Sequence, residues 1–178
     1  MRLGANVEVF SYLYALATIG MTFAGLSVLT MILRQMLGGQ MTKFDSFVTR
    51  TWVQLGFMVT FGSILAPLVA LFETPKPIAW RVSSSAMAVV LGCWTLTFPR
   101  RRHAANPTHL PMPVMAFVIA MTLTALAFAT NATFAPVERL PAVYAAAVTA
   151  ILFGAGMLFL FTFVHWYETL ISHQQPKS

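Results

Sequence analysis

Three consecutive arginines, Arg100, Arg101 and Arg102, stand beside His103 and His109 in the segment FPRRRHAANPTHLPMP, residues 98–113. Guanidinium groups in a row suit phosphate, whether carried by a nucleic acid, a small anion or a lipid headgroup. A second set lies near the C-terminus, where His165 and Glu168 are three apart and so share one face of a helix. Imidazole and carboxylate are ligands that zinc and similar ions accept, and an imidazole there would also respond to pH. His165 and Glu168 are thus a candidate metal pair, but a weak one, because no compact ligand motif surrounds them. The expected reading of His103, His109, His165 and His173 is four polar residues at one rim of the molecule.

Other chemistries lack their residues. Cys93 is the single cysteine, so an internal disulfide and a cysteine-cluster metal site are excluded. It falls about two turns inside an apolar run and is expected to be buried, where a thiol behaves as a small hydrophobe rather than a nucleophile. No nucleophile elbow, phosphate-binding glycine loop or paired-acid motif is present. The methionines are scattered and read as gap-fillers. Asn131-Ala-Thr133 matches a glycosylation sequon, but stands too near an apolar run to serve as one. No catalytic set and no cofactor are expected from these residues, and no motif identifies a family.

The elements that carry these residues follow from composition. Of 178 residues, 58% are hydrophobic and 9% charged, against roughly 25% charged in soluble domains. A fold in water could not cover its surface with so few charges. The net charge of +6 therefore points to a membrane protein with basic loops, not to a nucleic-acid partner. About 20 apolar residues cross the hydrocarbon core, and five runs qualify: residues 10–33, 52–72, 79–98, 112–134 and 141–165. The expected fold is an all-α polytopic bundle of five transmembrane helices forming one membrane domain. Four helices are the alternative, because Arg81 and Ser83–Ser85 weaken the start of the third run. No secretory signal peptide is evident, since Glu8 interrupts the basic start and the first run is too long.

Five spans place Arg34, Lys43, Arg50, Arg100, Arg101, Arg102 and Lys177 on one side, and Arg2, Lys76, Arg81 and Arg139 on the other. By the positive-inside rule the N-terminus is outside and the C-terminus cytoplasmic, in an inner or plasma membrane. The arginine triplet is then a topology anchor, compatible with an anionic lipid beside it. Trp52, Trp94, Trp166 and Tyr167 fall near one level, and Tyr12, Tyr14, Trp80 and Tyr144 near the other, as interfacial belts would. Arg81 is expected to snorkel to the outer surface.

Local signals refine the elements. Gly38-Gly39 ends the first helix. Thr42-x-x-Asp45 resembles a capping box, so the second helix is expected to begin near Thr42, ahead of the apolar run. Pro67 lies inside that run and is expected to kink it, with Thr60 and Ser63 serving the freed backbone.

Spans associate through close packing, and small residues four apart permit it. The fifth run carries Ala142, Ala146, Ala150 and Gly154; shorter rows are Gly20 and Ala24, Gly62, Ala66 and Ala70, Ser84, Ala88 and Gly92, and Ala116, Ala120 and Thr124. The fifth-run row is expected either to pack helices within the bundle or, in the sharper reading, to face another subunit. Span hydroxyls such as Thr18, Thr22, Thr60, Thr122, Thr149 and Thr162 either line a pore or bond back to their own helices. With no ionisable residue at mid-depth, a proton-coupled transporter is disfavoured. The expected function is a non-enzymatic homo-oligomeric channel or passive conductor. The alternative is an accessory or scaffold subunit of a larger membrane complex.

Overall fold

Each apolar run folds as one continuous helix: α1 (Leu3–Met36), α2 (Lys43–Ala70), α3 (Lys76–Ala105), α4 (Met112–Thr133) and α5 (Leu140–Gln174). The computed structural model describes the backbone over residues 3–36, 42–106 and 112–174, and side chains over residues 8–36, 42–106 and 112–164. All five helices are long and apolar enough to cross a membrane. The third, which Arg81 and Ser83–Ser85 weaken as an apolar run, is also a full 30-residue helix. A continuous helix satisfies its own backbone hydrogen bonds, which an apolar medium demands.

Helix ends follow local chemistry. Thr42 caps α2 as expected: its hydroxyl accepts from the Asp45 amide at 3.1 Å, and the Asp45 carboxylate accepts from the Thr42 amide at 3.0 Å. Two of the amide donors at this helix end are thereby satisfied. Gly38-Gly39 lies outside the described residues. The α2–α3 turn is closed by the Thr74 hydroxyl on the Val69 carbonyl at 2.9 Å, with Glu73 left-handed at φ 56°. Pro77 follows the first residue of α3, where a missing amide proton costs nothing.

Pro67 lies inside α2 as expected, and because the helix ends at Ala70, short of the end of the apolar run at Phe72, the proline sits in its last turn. Neither expected hydroxyl serves the backbone it frees. Thr60 bonds to the carbonyls of Gly56 and Ala17, and the Ser63 hydroxyl has no hydrogen-bond partner among the described residues. Pro99 likewise lies inside α3, which continues to Ala105. The arginine triplet is therefore helical, not part of a loop.

The helices run alternately up and down. Arg34 meets Asp45, Met87 lies where a Gly62 side chain would stand, Ser84 meets Asn131, and Phe128 meets Tyr144. α5 lies against all four other helices; α1 lies along α2 and α5 and reaches α3 through Phe10, whose ring is 5.5 Å from that of Trp80, and α4 lies along α3 and α5. The centre is filled. Trp52, Leu55, Met87, Leu91, Phe128 and Tyr144 have no exposed surface. Leu96, Val89 and Phe153 are each at least 65% exposed, an apolar exterior suited to lipid rather than water.

α1 and α2 meet backbone to backbone. A Cβ on Gly20 would stand 2.9 Å from the Gly56 carbonyl oxygen, and one on Gly56 would stand 2.8 Å from the Gly20 carbonyl oxygen. The small pair Gly20 and Ala24 thus packs against Gly56 and Thr60, not against the Gly62 row. Gly62 and Ala66 instead turn toward α3 and α5, where Met87 and Val148 occupy the space beside Gly62. Small residues are what allow either approach.

Candidate functional site

The charged end of the bundle gathers the ends of α1 and α3 with the start of α2. Arg34 pairs with Asp45 at 2.5 Å, so the residue that closes the α2 cap also holds the end of α1. Arg50 and Lys43 are exposed. The three arginines of α3 point different ways, because consecutive helical residues are about 100° apart. Arg101 donates to the Gln54 side-chain oxygen at 3.0 Å and to the Trp94 carbonyl at 3.2 Å, with its guanidinium 5.4 Å from the Trp94 ring centroid. The Trp94 indole donates to the same Gln54 oxygen at 3.1 Å. Arg102 is buried, 5.9 Å from the Phe44 ring centroid. Only Arg100 of the three is exposed. A stacked guanidinium with fixed acceptors is a structural group as much as a charge.

Gln54 is the residue that sequence reasoning missed. It is a lone carboxamide near the start of an apolar run, and a carboxamide there needs partners, which was a usable signal.

The opposite end has its own cation. Arg81, half-buried on α3, reaches the end of α4. It donates to the carbonyls of Ala132 at 2.8 Å, Thr133 at 3.0 Å and Ala135 at 3.3 Å. Those are the unpaired acceptors at the C-terminus of α4, where a cation is also favoured by the helix dipole. One turn deeper, the buried Asn131 donates to the Ser84 hydroxyl at 2.9 Å and the Leu140 carbonyl at 3.2 Å, tying α4 to α3 and to the start of α5. The sequon asparagine is thus inside the bundle.

The aromatic residues face inward, which corrects the expectation of interfacial belts. Trp52, Trp80, Trp94 and Tyr144 are buried, and only Tyr12 and Tyr14 among the described members are exposed. Two of them bond to protein instead of headgroups: the Trp94 indole donates to Gln54, and the Tyr144 hydroxyl donates to the Gly62 carbonyl at 2.6 Å. Trp80 packs on Tyr144 with centroids 5.5 Å apart, and Tyr144 on Phe128 at 5.4 Å. The side chains of Trp166 and Tyr167 lie outside the described residues.

Most span hydroxyls bond to their own helix four residues back. Thr18, Thr22, Ser27, Thr122, Thr149 and Thr162 all do so, at 2.8–3.1 Å. Tyr12 and Thr149 join α1 to α5 through a 2.8 Å hydroxyl pair. Among the described residues these hydroxyls are thus spent on backbone carbonyls.

The fifth-run row divides. Ala142, Ala146 and Ala150 are exposed, whereas Gly154 turns toward α4, where a Cβ would run into the Met121 methyl and stand 3.4 Å from Phe117. α5 buries the other side of itself, through Tyr144, Val148, Ile151 and Ala155. On α1, Ser11, Ala15, Thr18, Thr22 and Gly25 are also exposed. Small residues thus occupy outward faces where lipid-facing helices usually carry bulk.

The remaining candidates stay apart. Cys93 is exposed on the outer surface of α3, not buried. His103 is exposed near the end of α3. His109 and the side chains of His165, Glu168 and His173 lie outside the described residues. Among the described residues no three of His, Cys, Asp and Glu come together as a metal would require. No protein-family model, curated protein or solved structure matches the chain.

Proposed function

We propose that this chain is a non-enzymatic, five-span membrane protein that works as an assembly of copies, joined through the outer faces of α5 and α1. One observation carries the reading: Ala142, Ala146 and Ala150 form an exposed row while the interior of the single chain is filled by Trp52, Phe128 and Tyr144. In a bilayer, helices associate where small residues let backbones approach. Because the interior is filled, a conducting path runs between copies rather than through one chain. Such a path needs no fixed charge.

The arginine end is the cytoplasmic end in this reading. It collects Arg34, Lys43, Arg50 and Arg100–Arg102, so the N-terminus is outside and the membrane is an inner or plasma membrane. Arg101 and Arg102 add to the anchoring by stacking on Trp94 and Phe44.

The test is cysteine cross-linking in native membranes, with Ala146→Cys in a Cys93→Ala background. Oxidation is expected to yield a covalent dimer of the chain. A cross-link to a different chain would make the protein an accessory subunit. Liposomes containing the purified assembly are then expected to pass small ions, and a tight membrane would remove the conductor role while leaving the assembly.

A further inference from the structure

The outer surface between α3 and α4 holds a groove of about 460 Å³, within the range of about 300–1,000 Å³ typical of small-ligand sites. Its α3 wall is the row Ala88, Gly92 and Leu96, and its α4 wall includes Thr122, Ala125 and Ala129. The groove exists because these are small: a Cβ on Gly92 would meet nothing within 4 Å. Its two hydroxyls are already bonded within their helices, Thr95 to Gly92 and Thr122 to Val118. What remains for a ligand is an apolar surface.

Two features choose the occupant. The first is length. Ala88 to Pro99 rise roughly 16 Å at about 1.5 Å per residue, close to half of a hydrocarbon core about 30 Å thick. That is one leaflet, the reach of one acyl chain. The second is charge. The Ala88, Gly92, Leu96 row continues at the same four-residue spacing to Arg100, and the Thr95, Pro99 row continues to His103. Both are exposed, and Arg100 is the arginine of the triplet that faces away from the bundle.

We propose that the α3–α4 groove seats one acyl chain of an anionic phospholipid, with Arg100 and His103 holding its phosphate. The site rests on the membrane setting given above but not on the assembly of copies, so failure of either leaves the other standing. Arg101 and Arg102 take no part, since their guanidiniums are committed inside. An apolar trough ending in an exposed guanidinium matches a lipid in both its parts.

The test is native mass spectrometry of the detergent-solubilised full chain. It is titrated with phosphatidylglycerol and, separately, with phosphatidylcholine of the same acyl chains. Wild type is expected to retain phosphatidylglycerol in preference. Arg100→Gln is expected to reduce that preference roughly fivefold, the worth of about 1 kcal/mol for one cation near an anionic surface. Gly92→Leu, which the open space tolerates, is expected to weaken both lipids, while Phe57→Leu on the outer face of α2 leaves them unchanged. Equal retention of the two lipids by wild type would overturn the headgroup assignment. Lipid binding unchanged by Gly92→Leu, with the mass of the assembly altered instead, would make the groove a seat for a helix.

Discussion

The buried hydroxyl of Tyr144 on α5 donates a 2.6 Å hydrogen bond to the backbone carbonyl of Gly62 on α2. A helical carbonyl has a second lone pair beyond the one its own helix uses, and in an apolar interior that makes it one of few acceptors available to a phenol. Gly62 is also where α3 packs closely, since a Cβ there would stand 2.9 Å from the Met87 methyl.

Tyr144→Phe removes this bond with almost no change in shape. A loss of about 0.5–1.5 kcal/mol in stability is expected, read as a lower unfolding midpoint in detergent with unchanged helicity. An unaltered midpoint would mean that the bond contributes nothing to joining α2 and α5.

The α1–α2 contact should distinguish two glycines one helix apart in tolerance. Gly56→Val forces a side chain against the Gly20 carbonyl and is expected to cost about 1–3 kcal/mol. Gly25→Ala, with nothing within 4 Å, is expected to be neutral or slightly stabilising. Thermal unfolding of the two variants side by side checks this, and equal effects would place the helix contact elsewhere.

Gln54 serves Trp94 and Arg101 at once. Gln54→Leu leaves an indole donor and part of a guanidinium without an acceptor, at a cost of about 1–3 kcal/mol. Trp94 fluorescence is expected to shift as its ring loses this neighbour. Arg101→Lys should not substitute for arginine, because one ammonium cannot reach Gln54 and the Trp94 carbonyl while stacking on the ring.

Arg81 closes the end of α4. Arg81→Ala is expected to raise amide hydrogen exchange across the α4–α5 turn, while the amides of α2 keep their protection. Arg81→Lys is expected to restore part of that protection. Uniform exchange changes over the whole chain would show a global role instead of a local cap.

Element positions were legible because a span needs a long apolar run and little else, and because Thr42-x-x-Asp45 carries its own mechanism. Facing was not legible. Helices that are apolar nearly all round carry little information on which side is inside. Trp52, Trp80, Trp94 and Tyr144 stand at plausible interface depths yet turn inward, since Gln54 and the Gly62 carbonyl offer partners that a sequence scan does not see. The same limit applies to the small rows: Gly62 and Ala142 look alike in sequence, but one is buried against Met87 and the other exposed. The arginine triplet lies beyond the third apolar run, which ends at residue 98, whereas α3 absorbs Pro99, continues to Ala105 and aims each arginine differently.

The central claim is assembly through the exposed α5 row, and the mass of the detergent-solubilised complex at native expression tests it most directly. By native mass spectrometry wild type is expected to give one symmetric oligomer of this chain, and Ala146→Leu or Ala150→Leu a folded monomer. A wild-type monomer, or an oligomer whose mass neither substitution changes, would contradict the account.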